Sequence, residues 1–136
     1  MVTACFLRTA AATLAALALT ACSSLGPDES AAGDAALAFY AAYGDEDGAR
    51  ACALMTESAR TELEQSTDEP CDSAILSEDL PSADQVEEVE AYGRNARVIL
   101  DGDVVFLSVA DGTWRISAAG CEYRSNAPYD CTITGG

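Results

Sequence analysis

Apolar and polar residues alternate in short runs through the second half of the chain, where β-branched and aromatic residues are frequent. This pattern predicts four strands, at 86–92, 96–101, 104–110 and 114–119. The pairs Asp101-Gly102 and Asp111-Gly112 separate consecutive runs and favour tight hairpin turns, because both central residues of such a turn adopt positive φ. We therefore predict an antiparallel meander of four strands.

Hydrophobic residues before residue 81 recur at helical spacing instead. They predict helices at 35–43, from 45 to about 55, at 56–65 with Thr56 as the N-cap, and a short helical turn at 71–76. The large aromatic side chains in these patterns are expected to form the core or to line a pocket, and they are Phe39, Tyr40, Tyr43 and, in the last strand, Trp114. Helices followed by strands predict an α+β fold with the helices packed on one face of the sheet.

The first 21 residues have a different composition from the rest of the chain. Arg8 is their only charge, and the Ala- and Leu-rich run that ends at Ala21 is too short for a helix that crosses a bilayer, which needs about 20 residues. These features predict an export signal peptide, and its cleavage would also remove Cys5 from the mature chain. The sequence Leu19-Thr20-Ala21-Cys22 resembles the bacterial lipobox, so we expect cleavage before Cys22 and lipid on its thiol. An ordinary signal peptide with an incidental cysteine is the alternative.

Residues 22–34 are small, polar and rich in Gly, Pro and Ser, which predicts a lipidated cysteine followed by a flexible tether. Such a tether spans on the order of 20 Å, so the domain would lie close to the extracytoplasmic face of the cell membrane. Residues 35–136 are enough for one domain with one modest core.

The charge of the chain is strongly acidic, with 23 Asp and Glu residues against seven Lys and Arg residues. All seven basic residues are arginines, and removal of Arg8 leaves six of them against the 23 acids, a net charge of −17. Nucleic-acid binding depends on Lys and Arg that neutralise phosphates, so we exclude it. Solubility is the simplest role for this charge, and recruitment of cations or of a basic partner is the alternative.

Histidine and lysine are both missing from the sequence, which removes the usual general base, the commonest metal ligand and Schiff-base chemistry. Carboxylates and tyrosines are the acid–base groups that are left, and their spacing singles out no catalytic pair. Asp45-Glu46-Asp47-Gly48 is only a fragment of a calcium-loop pattern and fits the start of a helix better. We therefore predict no catalytic residue, no cofactor and no metal site.

Four further cysteines follow Cys22 in the sequence, and they are Cys52, Cys71, Cys121 and Cys131. In an exported domain they predict disulfides, for which three pairings exist. We favour Cys52–Cys71 and Cys121–Cys131, because each pair brackets a local segment. A four-cysteine zinc site is disfavoured, since the paired C-x2-C spacing is missing.

Several short segments carry a resemblance to known proteins, and they are Ala38-Phe39-Tyr40, Ala51–Met55 with Cys71, Asp111–Ile116, Ala119-Gly120-Cys121 and Pro128–Cys131. They resemble small secreted lipoproteins of actinobacteria, which are similar to the nuclear transport factor 2-like superfamily. The resemblance implies a cone-like α+β fold over about residues 34–134. It implies no activity, because the Asp with Tyr or His that serves catalysis in the enzymes of that superfamily has no matching position here.

These patterns together predict a membrane-anchored extracytoplasmic lipoprotein that is not an enzyme. Its expected partners are the membrane, reached through the lipid on Cys22, and an envelope protein or a small apolar ligand. The alternative function is a small isomerase or hydrolase that uses a carboxylate and a tyrosine in a cone-shaped pocket.

Overall fold

The computed structural model describes residues 27–135, which form four helices followed by five strands. The helices are α1 (Glu29–Gly44), α2 (Gly48–Ala53), α3 (Glu57–Thr67) and α4 (Cys71–Ser77). The strands are β1 (Val86–Tyr92), β2 (Asn95–Leu100), β3 (Val104–Ala110), β4 (Thr113–Arg124) and β5 (Ala127–Thr134). Neighbouring strands pair antiparallel in the order β1-β2-β3-β4-β5, so the predicted α+β class is confirmed.

The sheet has five strands, and the prediction of four was wrong. Strand β4 continues to Arg124, and β5 pairs with its second half in a hairpin. Most described side chains of this hairpin beyond Cys121 are exposed, so the apolar alternation that marks a half-buried strand is weak there. Pairing with β4, in which Tyr123 lies opposite Tyr129, fixes this segment as a strand.

Helix α1 begins at Glu29, six residues before the predicted start, so residues 29–34 are helical and do not belong to a tether. The Asp28 carboxylate caps the helix by accepting a hydrogen bond from the Ala31 backbone N–H at 2.8 Å. The indole N–H of Trp114 on β4 donates to the Asp28 carbonyl oxygen at 2.9 Å. Asp28 is therefore part of the domain, although the predicted boundary lies at residue 35.

Side chains at the starts of α2 and α3 cap these helices as well. The Asp47 carboxylate accepts from the Arg50 N–H, and Thr56 Oγ1 accepts from the Ala59 N–H, as predicted for Thr56. Within the acidic run that partly matches a calcium loop, Asp45 is the C-cap of α1 and Asp47 is the N-cap of α2, which begins at Gly48 and not at the predicted residue 45. Helices α2 and α4 pack so closely that a Cβ at Gly48 would collide with the Asp72 carbonyl oxygen.

The core lies between the helices and one face of the sheet. Its largest fully buried side chains are Phe39, Ile75, Val98, Val105, Leu107, Ile116 and Ile133. The segment after α2 extends the sheet, since Ile116 donates to the Leu54 carbonyl oxygen and the Thr56 N–H donates to the Ile116 carbonyl oxygen, both at 2.8 Å. The first half of β4 therefore pairs with this segment, and its second half pairs with β5.

The two Asp-Gly pairs form different turns. Asp111 and Gly112 have φ values of 51° and 77°, as predicted for a tight hairpin. Asp101 and Gly102 do not have positive φ, so that part of the prediction was wrong. Gly102 is required there for space, because a Cβ would collide with the Ser82 carbonyl oxygen. No helix within residues 27–135 is long and apolar enough to cross a membrane.

Candidate functional site: the Asp103 cleft

Asp103 is a buried carboxylate at the turn between β2 and β3, with 9% of its surface exposed. Its Oδ2 accepts from the Tyr40 hydroxyl and from the Gly120 N–H at 2.7 Å, and its Oδ1 accepts from the Cys121 N–H at 3.0 Å. The first residue of β3 that pairs with β4 is Phe106, opposite Ala118. Asp103 precedes Phe106 and thus bonds backbone groups of β4 that follow the last β4 residue paired with β3.

Tyr40 reaches Asp103 from α1, and only 4% of its surface is exposed. Burial, followed by the hydrogen bond to Asp103, raises the pKa of Tyr40 far above its ordinary value. The phenol therefore stays protonated and remains a hydrogen-bond donor to the carboxylate. This contact connects α1, the β2–β3 turn and β4 at one end of the domain.

Gly120 gives β4 the shape that this arrangement needs. Its φ is 65°, and a Cβ would lie 2.8 Å from Thr132 Oγ1 and 2.9 Å from Leu80 Cδ2. Both conditions select glycine, because an L side chain would be strained by the backbone and crowded by its neighbours. The conformation turns two consecutive N–H groups, those of Gly120 and Cys121, toward the same carboxylate.

An open cleft of about 490 Å³ lies beside Asp103. The segment 79–81, the turn at 102–104 and the strands around Gly120 and Thr132 form its walls. Its charged side chains are all acidic, namely Asp79, Asp103 and Glu122. The cleft can therefore accept a polar or cationic group and repels anions.

Three of the four aromatic residues singled out from the sequence are buried, with Phe39 at 0%, Tyr40 at 4% and Trp114 at 5% exposure. Phe39 and Tyr40 contact each other edge to face, with ring centroids 5.4 Å apart. Tyr43 is partly buried, and its hydroxyl donates to the Glu78 carbonyl oxygen at 2.7 Å and accepts from the Leu80 N–H at 3.3 Å. Tyr43 therefore holds the segment that leads to the cleft wall.

The predicted disulfide pairing is confirmed, with Cys52 bonded to Cys71 and Cys121 bonded to Cys131. The first bond joins α2 to α4, and the second joins facing residues of β4 and β5. A four-cysteine zinc site is thereby excluded. Between residues 27 and 135, no group of three or more Cys, Asp or Glu residues is arranged to hold a metal ion. The predicted lipidation site, Cys22, and the predicted signal peptide lie outside the described residues.

A second cluster, not expected from the sequence, lies on the face of the sheet opposite the helices. Arg97 stands between the buried residues Ala96 and Val98 and so points to that face. Its guanidinium contacts Glu90 and donates to the Tyr129 hydroxyl at 3.2 Å. These three residues come from β1, β2 and β5, which indicates that the outer part of the β4–β5 hairpin bends toward this face.

Two more aromatic rings pack against Tyr129 on this face. The Phe106 ring lies 5.0 Å from that of Tyr129, and the Tyr123 ring lies 5.8 Å from it. Tyr123 is 74% exposed, so the cluster presents an aromatic ring to solvent at the hairpin. The sequence offered only weak signals for this cluster and for Asp103, because every contact joins different strands or joins a helix to a turn.

No protein-family model, curated protein or solved structure was found that matches the chain.

Proposed function

We propose that the chain is a lipoprotein anchored through Cys22 to the extracytoplasmic face of the cell membrane, where its domain serves as a non-enzymatic binding module. The observation that supports a location outside the cytoplasm is the disulfide pairing of the cysteines. All four cysteines after Cys22 are paired in disulfides, a state typical of proteins outside the cytoplasm. Cys22 is then the thiol that remains for lipid, in the lipobox-like sequence that precedes the domain.

Stable anchoring follows from this assignment. Each methylene that enters the bilayer contributes about 0.8 kcal/mol, and one chain alone binds only marginally. A diacylglyceryl group carries two chains, so the domain would stay with the membrane. The acidic domain itself has no attraction for anionic headgroups, and the lipid must supply the affinity.

The absence of catalysis is proposed because the buried carboxylate–tyrosine pair found within residues 27–135, Asp103 with Tyr40, is engaged in structural hydrogen bonds. Asp103 accepts three of them, two from backbone N–H groups, and the Tyr40 hydroxyl is directed at Asp103. A general base needs a free lone pair aimed at substrate, and protein donors occupy three of the roughly four lone-pair positions of this carboxylate. Phe39 is fully buried in the core and does not line the Asp103 cleft, so a protein partner on the surface is favoured over a small apolar ligand inside a cone.

Replacement of Cys22 tests the anchor. Cells that make the Cys22→Ser variant and grow with an alkyne-tagged palmitate are expected to lose both the label on this protein and its membrane association. The Cys5→Ser variant is the matched control, since Cys5 lies in the segment that is expected to be removed. A Cys22→Ser protein that stays in the membrane fraction would contradict the assignment.

The alternative is a small isomerase or hydrolase, and one observation favours it: Asp103, which accepts a hydrogen bond from Tyr40, lines an open cleft. Purified protein can be screened against chromogenic esters and enolisable ketones, with Tyr40→Phe as the diagnostic variant. Turnover that disappears in a folded Tyr40→Phe protein would establish the enzyme. Turnover that persists unchanged in this variant would point to a contaminant.

A further inference from the structure

Strand β1 forms one edge of the sheet and pairs only with β2. Tyr92 and Asn95 flank the two-residue turn to β2, so they form a hydrogen-bonded pair of the antiparallel ladder. Such pairs alternate along the ladder, and Glu90 is the next residue of β1 bonded to β2. The N–H and C=O groups of Val89 and Ala91 therefore point away from β2, toward the open edge.

Helix α1 packs on the inner face of β1, and within residues 27–135 no strand pairs with the outer edge of β1. Gly33 on α1 has no side chain, and a Cβ there would lie 3.3 Å from Val86 and 3.5 Å from Val89. The other exposed parts of β1 are its outer face and its end, where Tyr92 is 65% exposed. An unpaired edge of this kind is a template for another strand.

The charge of β1 determines which strand it can accept. Glu87, Glu88 and Glu90 lie within the strand, and Arg97 on β2 pairs with Glu88 at 3.7 Å and with Glu90. One arginine against three glutamates leaves this edge acidic, in a chain whose net charge is −16. A second copy of β1 would bring six glutamates together, so pairing of two copies is disfavoured.

We propose that β1 binds an extended basic segment of a partner protein, which adds a sixth strand to the sheet. This proposal rests on the proposed binding function and names its surface. Backbone groups of Val89 and Ala91 supply the hydrogen bonds, and Lys or Arg side chains of the partner lie beside the glutamates of β1. Main-chain pairing gives the affinity, and charge complementarity excludes acidic segments and further copies of the chain.

The full chain, purified in a neutral detergent, can be tested with a capped peptide of four Lys-Thr repeats. A peptide of the same charge with prolines in place of the threonines is the control, because proline has no N–H for strand pairing. We expect the Lys-Thr peptide to bind about tenfold more tightly than the proline peptide. On binding, the amides of Val89 and Ala91 should exchange with solvent about tenfold more slowly, whereas the Glu90 amide is already protected in the free protein.

Two charge-matched variants complete the design. The first, Glu87→Gln/Glu88→Gln/Glu90→Gln, should weaken binding by about tenfold. The second, Glu46→Gln/Glu57→Gln/Glu69→Gln, removes the same charge from the helical region and should change binding less than about twofold. Equal weakening by both variants would mean that only net charge matters, which overturns the proposal.

Other outcomes overturn it as well. Equal binding of the two peptides, or binding without protection of Val89 and Ala91, would show that no strand is added. Self-association that protects the same amides would assign this edge to a second copy. An envelope protein that crosslinks equally to the wild type and to the Glu87→Gln/Glu88→Gln/Glu90→Gln variant would refute β1 as the binding surface. The proposed binding function itself would not be affected by that result. Failure of the wild-type chain to crosslink to any envelope protein would count against the binding function itself.

Discussion

Replacement of Asp103 by alanine tests whether this carboxylate is the main polar link between α1 and the sheet. The change removes the acceptor for three hydrogen bonds, from the Tyr40 hydroxyl and from the N–H groups of Gly120 and Cys121. A hydrogen bond to a charged group contributes about 1.5–3 kcal/mol, and a buried donor left without a partner costs about 1–3 kcal/mol. Water from the open cleft can reach some of these donors and reduces the total.

We therefore expect Asp103→Ala to lower the free energy of unfolding by about 3–5 kcal/mol. A domain of this size has a stability of about 5–15 kcal/mol, so the loss is a large fraction of it. The melting temperature should fall by roughly 13–22 °C, given an unfolding entropy of about 2.1 cal/mol/K per residue. Tyr40→Phe removes only one of the bonds and should cost about 1–2 kcal/mol.

Urea unfolding followed by the fluorescence of Trp114, the one tryptophan of the chain, measures these differences. Asp79→Ala is the matched control, because Asp79 lines the same cleft and has no hydrogen bond or ion pair within residues 27–135. A loss of under about 1 kcal/mol for Asp103→Ala, equal to that of Asp79→Ala, would refute the structural role of the carboxylate.

Three further changes test other parts of the fold. Gly120→Ala should destabilise the domain by about 2–4 kcal/mol, because the added Cβ is both strained by the backbone and crowded by its neighbours. Gly93 has a φ of 62° and open space around it, so Gly93→Ala should cost only about 1 kcal/mol. Equal losses of the two variants in urea unfolding would show that crowding at Gly120 contributes nothing. Replacing Cys52 and Cys71 by serine should cost about 3 kcal/mol from the opened loop of 19 residues, and a melting temperature unchanged by reductant would contradict this. Hydrogen bonds from Ser30 and from the Ala31 backbone lower the pKa of Asp28 below its ordinary 3.8. The Asp28 carboxylate therefore stabilises the domain fully above pH 3.8, and this stabilisation is lost as pH falls through the folded-state pKa. Asp28→Asn should flatten this part of a profile of melting temperature against pH, and an unchanged profile would argue against the role of the carboxylate.

Local signals in the sequence predict local structure well in this chain. Thr56 caps α3 as expected, because the cap and its target lie three residues apart. The true start of α1 also has a local signal, Asp28 followed by Glu29, but Gly33 obscures it. Gly33 is explained by packing against Val86 and Val89, which the sequence does not reveal.

Contacts between distant parts of the chain explain what the sequence could not predict. Tyr40 and Asp103 are 63 residues apart, and Asp103 follows Asp101-Gly102 in what reads as an ordinary polar turn. Strand β5 likewise depends on its partner β4, since its exposed residues carry almost no periodic signal. The site could be approached from the sequence only through Tyr40, whose polar end needs a partner when it is buried.

The hydrogen bond from Trp114 to Asp28 fixes the point at which the chain leaves the domain. Only residues 23–27 separate this point from Cys22, and a chain of that length reaches at most roughly 20 Å when fully extended. A domain of this size is roughly 30–35 Å across, so a lipid on Cys22 would hold it within less than its own diameter of the bilayer. Helix α1 carries Tyr40 about 17 Å from its start, so the Asp103 cleft lies toward the other end of α1 from Asp28. If Cys22 carries the proposed lipid, this short connection would keep the end of the domain that holds Trp114 near the bilayer, and the opposite end would face molecules that approach from the envelope.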